Sequence, residues 1–103
     1  MNVRFFVPER GNAGQNGFEA ASRLVSHLCE QYGGATVHLG GGNWVSPEGQ
    51  LAAELVFIVE SAIPAEKEPF ALAEAKGLAG QIKLELTQES VMFQFVPSDT
   101  YFV

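Results

Sequence analysis

The chain has few of the features that mark secreted, membrane-spanning or nucleic-acid-binding proteins. Its single cysteine, Cys29, excludes an internal disulfide, so the cysteine content does not imply an oxidising compartment. No apolar run approaches the ~20 residues that span a bilayer, and the N-terminal region lacks the apolar core of a signal peptide. We therefore expect a cytoplasmic protein that makes no use of a membrane.

Positive charge is also scarce. Six lysines and arginines stand against twelve aspartates and glutamates, which gives a net charge of −6. An acidic domain without a basic stripe binds phosphate backbones poorly, so we expect no nucleic-acid partner. The rest of the composition is ordinary for a folded protein, because 47% of the 103 residues are apolar. This length predicts one domain, residues 1–103, with a single core.

Two segments, residues 3–7 and 55–59, are apolar at nearly every position. Successive side chains of a strand point to opposite faces, so a strand formed by either segment has two apolar faces. Such strands lie in the middle of a sheet that is covered on both sides. The sequence therefore predicts a sheet with two buried central strands.

The order of the predicted elements indicates the fold class. Helical periodicity predicts helices over residues 18–32 and 70–86, and strand patterns occur at residues 3–7, 35–45, 50–60 and 91–96. This order is the split βαβ pattern, which predicts a ferredoxin-like βαββαβ fold of the α+β class. Right-handed crossovers place the first and third strands at the centre and both helices on one face. We also expect a bulge or twist at the glycine run 40–42.

Two helices on one face leave the other face of the sheet uncovered. The apolar side chains expected there are Phe6, Val56, Ile58 and Met92. Even partial burial of four such side chains is worth several kcal/mol at about 25 cal/mol per Å², and exposure of all four favours aggregation. We therefore expect a homodimer or a higher homo-oligomer that acts by association, with a different protein as the alternative partner.

A second set of candidates comprises Trp44, Glu54, Gln88 and Glu89, as ligand-binding or structural polar residues. Glu54 interrupts an apolar strand, and Gln88 stands where the carbonyls of a helix end need donors. A pocket for a small planar molecule, lined by Trp44 and Glu54, is the second functional hypothesis. A cofactor-free oxygenase-like site of His38, Asn43 and Trp44 would need the bulge at the glycine run, because adjacent strand residues face opposite ways.

No catalytic residue, cofactor or metal ion is predicted. Gly11, Gly14 and Gly17 precede a helix, where backbone N–H groups can bind an anion, but their spacing matches neither standard phosphate motif. We interpret that segment as a flexible loop. His27 and Cys29 are two residues apart on a helix and point about 200° apart, so they cannot share a metal ion.

Short motifs run along nearly the whole chain. They are Phe5-Phe6-Val7-Pro8, Gly33-Gly34-Ala35-Thr36, Gly42-Asn43-Trp44, Gly49, Glu54 followed by residues 56–61, Gln88-Glu89-Ser90-Val91 and Tyr101-Phe102-Val103. In this pattern the sequence resembles a family of small bacterial and phage- or plasmid-borne proteins of unknown function. The resemblance implies a ferredoxin-like subunit and supplies no activity or catalytic residue. A mobile-element origin adds a third hypothesis, an acidic inhibitor of a host or defence protein.

Overall fold

The computed structural model describes every residue from Met1 to Val103. Its elements in chain order are β1 Asn2–Pro8, α1 Gly17–Tyr32, β2 Thr36–Val45, β3 Leu51–Ala62, α2 Glu68–Glu85 and β4 Phe93–Val96, with a 3-10 turn at Ala65–Lys67 before α2. The strands form one antiparallel sheet in the order β2-β3-β1-β4, which is the ferredoxin-like arrangement. The predicted fold class and the central position of the first and third strands are confirmed.

The core lies between the two helices and one face of the sheet. Val3, Phe5 and Val7 of β1 point to this face and are almost completely buried, and Val59 of β3, which pairs with Phe5, is also fully buried. The helices contribute small and medium side chains, namely Ala20, Ala21, Leu24 and Leu28 from α1 and Ala71, Ala75, Ala79 and Ile82 from α2. Alanines on both helices allow their backbones to pack close to the sheet.

The ends of α1 follow local capping rules. The Asn16 side chain accepts a hydrogen bond from the Phe18 N–H, and Gly33 closes the helix in the left-handed conformation with φ 89°. The second helix begins at Glu68, two residues earlier than predicted, because Pro69 is tolerated in the first turn of a helix. No helix of the structure is both long and apolar enough to cross a membrane.

The glycine loop between β1 and α1 is held by backbone hydrogen bonds within the loop and to the end of α2. The Gly11 N–H donates to the Gln15 carbonyl, the Asn12 N–H to the Leu86 carbonyl, and the Gly14 N–H to the Gly11 carbonyl. These donors are already bonded, so the loop does not present the free N–H groups that an anion site needs. Gly17 is required for a different reason, since a Cβ there would overlap the Pro8 carbonyl oxygen.

The β2–β3 hairpin extends beyond the rest of the sheet. Its register is unbroken from the Thr36–Glu60 pair to the Val45–Leu51 pair, so the bulge predicted at residues 40–42 is wrong. The β1 strand ends opposite Val56, which leaves residues 41–55 as a two-stranded projection, here called the hairpin arm. The arm contributes to the elongated shape of the molecule, which measures 45 × 24 × 22 Å.

Two glycines in α2 can be replaced with a gain in stability. A Cβ at Gly77 or Gly80 would meet no atom within 4 Å, so close approach of another backbone does not explain either glycine. We expect Gly77→Ala and Gly80→Ala each to raise the free energy of unfolding by about 0.5–1 kcal/mol, since alanine is the better helix former. Urea unfolding measures this effect. The control is Gly33→Ala, which should destabilise because φ there is 89°; a loss of stability in both helix variants would contradict the expectation.

Candidate functional site on the open sheet face

The face of the sheet opposite the helices, here called the open face, carries rows of side chains that cross several strands, and three of these rows lie between the row of Ala62, Asn2 and Val96 and the end of β1. A polar row contains Thr36, Glu60, Arg4 and Gln94. The next row contains His38, Ile58, Phe6 and Met92, the last placed by the hydrogen bond from the Phe6 N–H to the Met92 carbonyl. The third contains Gly40, Val56 and Pro8. Beyond it, only the hairpin arm continues, with the pairs Gly42–Glu54 and Trp44–Ala52.

The four predicted apolar residues lie together on the open face and differ in accessibility. Phe6 lies between Ile58 and Met92 in one row, and Val56 lies in the row beside it. Val56 is only 8% exposed and offers almost no surface, whereas Met92 is 53% exposed. Phe6 and Ile58 are half-buried. The accessible apolar surface is therefore a narrow strip that ends at Met92.

Glu60 organises the polar row. Its carboxylate accepts hydrogen bonds from the Asn2 Nδ2 at 3.1 Å and from the Arg4 guanidinium at 3.2 Å. The bond from Asn2, with the bond and charge of Arg4 and the charge of His38, holds the Glu60 pKa below its ordinary value despite partial burial. Sequence analysis did not single out this cluster. The sequence carries no direct signal for it, because the cluster joins side chains of two strands that are far apart in the chain.

Glu54 is the opposite case. It lies on the open face of the hairpin arm, paired with Gly42, and burial alone raises the pKa of its carboxyl above the ordinary value. The neighbours on β2 carry no side chain at Gly42 and Gly40, so nothing on that strand donates a hydrogen bond to the carboxylate from beside it. A carboxylate that is partly desolvated without a compensating cation is a group that a positively charged ligand can stabilise.

Trp44 is on the same face, two residues along β2 from Gly42. Diagonal neighbours on one face of a sheet are about 7–8 Å apart, so the indole ring can lie over the space beside Glu54. Its side chain is 46% exposed, which leaves ring surface accessible to a ligand. Asn43 points to the opposite face because the register is regular. His38, Asn43 and Trp44 therefore do not form one oxygenase-like site.

The two remaining candidates lie away from the hairpin arm, in the connection between α2 and β4. The Gln88 side-chain amide donates to the Leu86 carbonyl at 3.0 Å, at the end of α2. Thr87, just before it, has the unusual φ of 51° and bonds through its hydroxyl to the Gln15 amide at 2.7 Å. Glu89 is exposed. Gln88 thus has the structural use that its position predicts, and Trp44 and Glu54 alone form the candidate site.

A separate cavity of about 500 Å³ lies at the other end of the sheet from the hairpin arm. It is lined by Tyr32, Gly33 and Gly34 at the end of α1, by Asn2 and Glu60 of the sheet, and by Phe102 of the C-terminal tail, among others. The Glu60 carboxylate there is already bonded to Asn2 and Arg4. The cavity therefore offers no unpaired charge comparable to Glu54.

Comparison with known proteins supports the fold. No protein-family model matches the chain, and a search of the curated proteins finds no match. Among solved structures, a phage SAM lyase in its apo state is similar, with a TM-score of 0.62 and 20% sequence identity, over 89% of this chain and 75% of that one. At this identity the similarity shows a common fold.

Because the pKa values of Glu60 and Glu54 are shifted in opposite directions, replacing each carboxylate by an uncharged side chain should change the free energy of unfolding in opposite directions. The lowered Glu60 pKa stabilises the fold above about pH 4.5, and this contribution is lost as the pH falls through the folded-state pKa. The raised Glu54 pKa means that the folded protein binds the proton of this carboxyl more tightly than the unfolded chain does. The stability gained in this way is lost as the pH rises through the folded-state pKa of Glu54. At pH 7 we expect Glu60→Gln to lower and Glu54→Gln to raise the free energy of unfolding, each by less than about 1 kcal/mol.

Urea unfolding at about pH 7 and about pH 3.5 checks this pair of substitutions. Both differences from the wild type should shrink at the lower pH, because the carboxyls are then largely protonated in the unfolded chain. A loss of stability at neutral pH on Glu54→Gln would contradict our view that the ionised carboxylate is uncompensated.

Proposed function

We propose that this protein binds a small cationic ligand with a planar aromatic part on its open face, at Trp44 and Glu54, and that the ligand is a sulfonium nucleoside of the S-adenosylmethionine class. The observation that carries the proposal is the partly desolvated Glu54 carboxylate, which is paired with Gly42 and lies on the same face as Trp44. Each of these groups matches one part of such a ligand.

The Glu54 carboxylate is complementary to the positive charge of such a ligand. Burial without a compensating partner disfavours the ionised form of Glu54, and a sulfonium or ammonium group within about 4–6 Å would favour it again. Binding of the cation therefore recovers free energy that the free protein lacks. Gly42 has no side chain beside Glu54, so a flat molecule that approaches the strand there would contact Val56, whose Cγ1 lies 3.5 Å from the place that a Cβ of residue 42 would occupy.

The Trp44 indole can stack on the aromatic part of such a ligand. A base stacked on an aromatic side chain contributes about 1–3 kcal/mol, and a cation over the indole face adds to this. An adenosyl sulfonium carries a purine and a fixed positive charge in one molecule. The phage SAM lyase that shares the fold is named for action on such a compound, which supports the choice of ligand class.

Ligand binding is testable through the intrinsic fluorescence of Trp44, which is the only tryptophan of the chain. We expect S-adenosylmethionine to change this fluorescence and to release heat in calorimetry. The uncharged thioether S-adenosylhomocysteine should bind more weakly because it lacks the sulfonium charge. The Glu54→Gln variant should raise the Kd for S-adenosylmethionine about tenfold, which corresponds to about 1.4 kcal/mol.

The matched control is Glu66→Gln, which removes the same charge from an exposed position in the 3-10 turn and should leave the Kd unchanged. Mass spectrometry of the same mixtures would reveal turnover as a loss of S-adenosylmethionine. The proposal is overturned if neither fluorescence nor heat changes up to about 1 mM ligand, or if the two charge variants bind equally well.

Self-association through the open face is the second candidate function. The row of Ile58, Phe6 and Met92 crosses three strands, and no element of the chain covers it. Apolar surface of this kind on a sheet favours contact with another subunit. In this arrangement the protein is a structural subunit whose surface strip joins it to a second copy or to another protein.

A charge placed at the accessible end of the strip tests this candidate. Met92 is 53% exposed, so Met92→Glu should leave the core intact while it weakens the contact. We expect native mass spectrometry at low micromolar concentration to show fewer oligomers for this variant than for the wild type. Leu84→Glu, at an 81% exposed position of α2, is the control. An oligomer that is equally populated in the wild type and in Met92→Glu would rule out the strip as the contact.

A further inference from the structure

The outer edge of β2 presents unpaired backbone groups whose identity follows from the hydrogen bonds of β3. The Ile63 N–H donates to the Met1 carbonyl, and the Glu9 N–H donates to the Leu55 carbonyl. The odd-numbered residues of β3 therefore form their backbone hydrogen bonds with β1. The even-numbered residues of β3 then bond to even-numbered residues of β2. The N–H and C=O groups that face outward belong to Val37, Leu39, Gly41, Asn43 and Val45.

This edge has none of the usual features that prevent strand pairing. Short length, lysine, proline and bulges keep the edges of natural sheets from associating. The β2 strand is ten residues long, contains no proline, lysine or acidic residue, and runs without a bulge. By contrast, β4 at the opposite edge is four residues long and is followed directly by Pro97. An unprotected edge of this length indicates a surface for strand addition.

We propose that the β2 edge pairs with β2 of a second copy of this chain, antiparallel and about a two-fold axis, to form one eight-stranded sheet. The edge suits a copy of itself because it carries no acidic side chain in a chain of net charge −6. The nearest acidic side chains, Glu54 and Glu60, are on β3. In the paired sheet, Glu54 and Glu60 of one copy would be three strand spacings, about 14 Å, from the same residues of the other copy. This distance exceeds the screening length at physiological salt.

We place the centre of the pair at the glycine run. With Gly41 opposite its own equivalent, Val37 pairs with Val45 of the partner subunit and His38 pairs with Trp44 of the partner subunit. Both apolar residues of the first pair are exposed in the single chain. An axis perpendicular to the sheet also leaves both open faces on one side. The partner subunit's His38 would then lie beside Trp44, at the proposed ligand site.

The area buried is sufficient for a specific contact. Nine residues, 37–45, that each lose roughly 60 Å² on both copies give about 1,100 Å² in total, which is above the roughly 1,000 Å² expected of a specific interface. The strand pairing stands independently of the ligand. Only the placement of the partner's His38 at the site rests on the function proposed above.

Hydrogen exchange of individual amides tests the pairing on the unmodified protein. In a paired dimer the outward N–H groups of Leu39, Gly41 and Asn43 should exchange as slowly as the inward ones of His38, Gly40 and Gly42. In a single chain the outward set should exchange at least tenfold faster. Rapid exchange of the outward set at a concentration where native mass spectrometry shows a dimer would overturn the proposal, as would a monomer at millimolar concentration.

A charged residue on the edge provides the second measurement. Leu39 is 56% exposed, so we expect Leu39→Lys to keep the fold and to raise the dimer dissociation constant at least tenfold. Leu84→Lys on α2 is the control and should dimerise as the wild type does. An unchanged dissociation constant for Leu39→Lys would contradict edge pairing. Failure of S-adenosylmethionine to bind a dimer with protected outward amides would overturn the ligand proposal alone.

Discussion

The antiparallel pairing of β1 with β3 is the constraint on which the rest of the structure depends. Phe5 and Val59 face each other in this pair, and both are fully buried beneath the helices. A strand has a period of two, so a slip of β3 by one residue against β1 would move Val59 to the open face and bring Glu60 into the core, away from Arg4. Burying a carboxylate without its partner among apolar side chains is strongly unfavourable. The register is therefore fixed by one row of residues, and all other positions of the sheet follow from it.

The same parity determines the chemistry of the open face. Glu54, Glu60, Arg4 and Trp44 are at even-numbered positions of their strands and so lie opposite the core. The two carboxylates have different surroundings because β1 ends opposite Val56. Glu60 has Asn2 and Arg4 on the neighbouring strand, whereas Glu54 lies beyond the end of β1 and has only a glycine beside it. The length of one strand thus explains why one acid is stabilised in its charged form and the other is not.

Much of the fold could be predicted from the sequence because its signals are local or periodic. The doubly apolar segments around Phe5 and Phe57 fixed the centre of the sheet, and the alternation of helices and strands indicated its topology. The regular register at residues 40–42 could not be predicted, since glycine is compatible with both a bulge and an ordinary strand. The low exposure of Val56 could not be predicted either, because it depends on neighbouring residues in two other strands. The Glu60 cluster depends on the cross-strand distance between Asn2, Arg4 and Glu60, for which the sequence carries no direct signal.

The hairpin arm is the part of the molecule whose stability is hardest to explain from a single chain. An isolated two-stranded hairpin is marginally stable in water, and residues 41–55 pair with no third strand, apart from the bond that the Glu9 N–H donates to the Leu55 carbonyl. The arm nevertheless carries Val45 and Leu51, which are exposed as a facing pair, and Trp44 on the other side. Exposed apolar side chains on a weakly supported hairpin favour aggregation, so solubility does not explain why they are present here. Their presence is explained if the arm is completed by further contacts, which a second β2 strand would supply at Val45 and a stacked ligand would supply at Trp44.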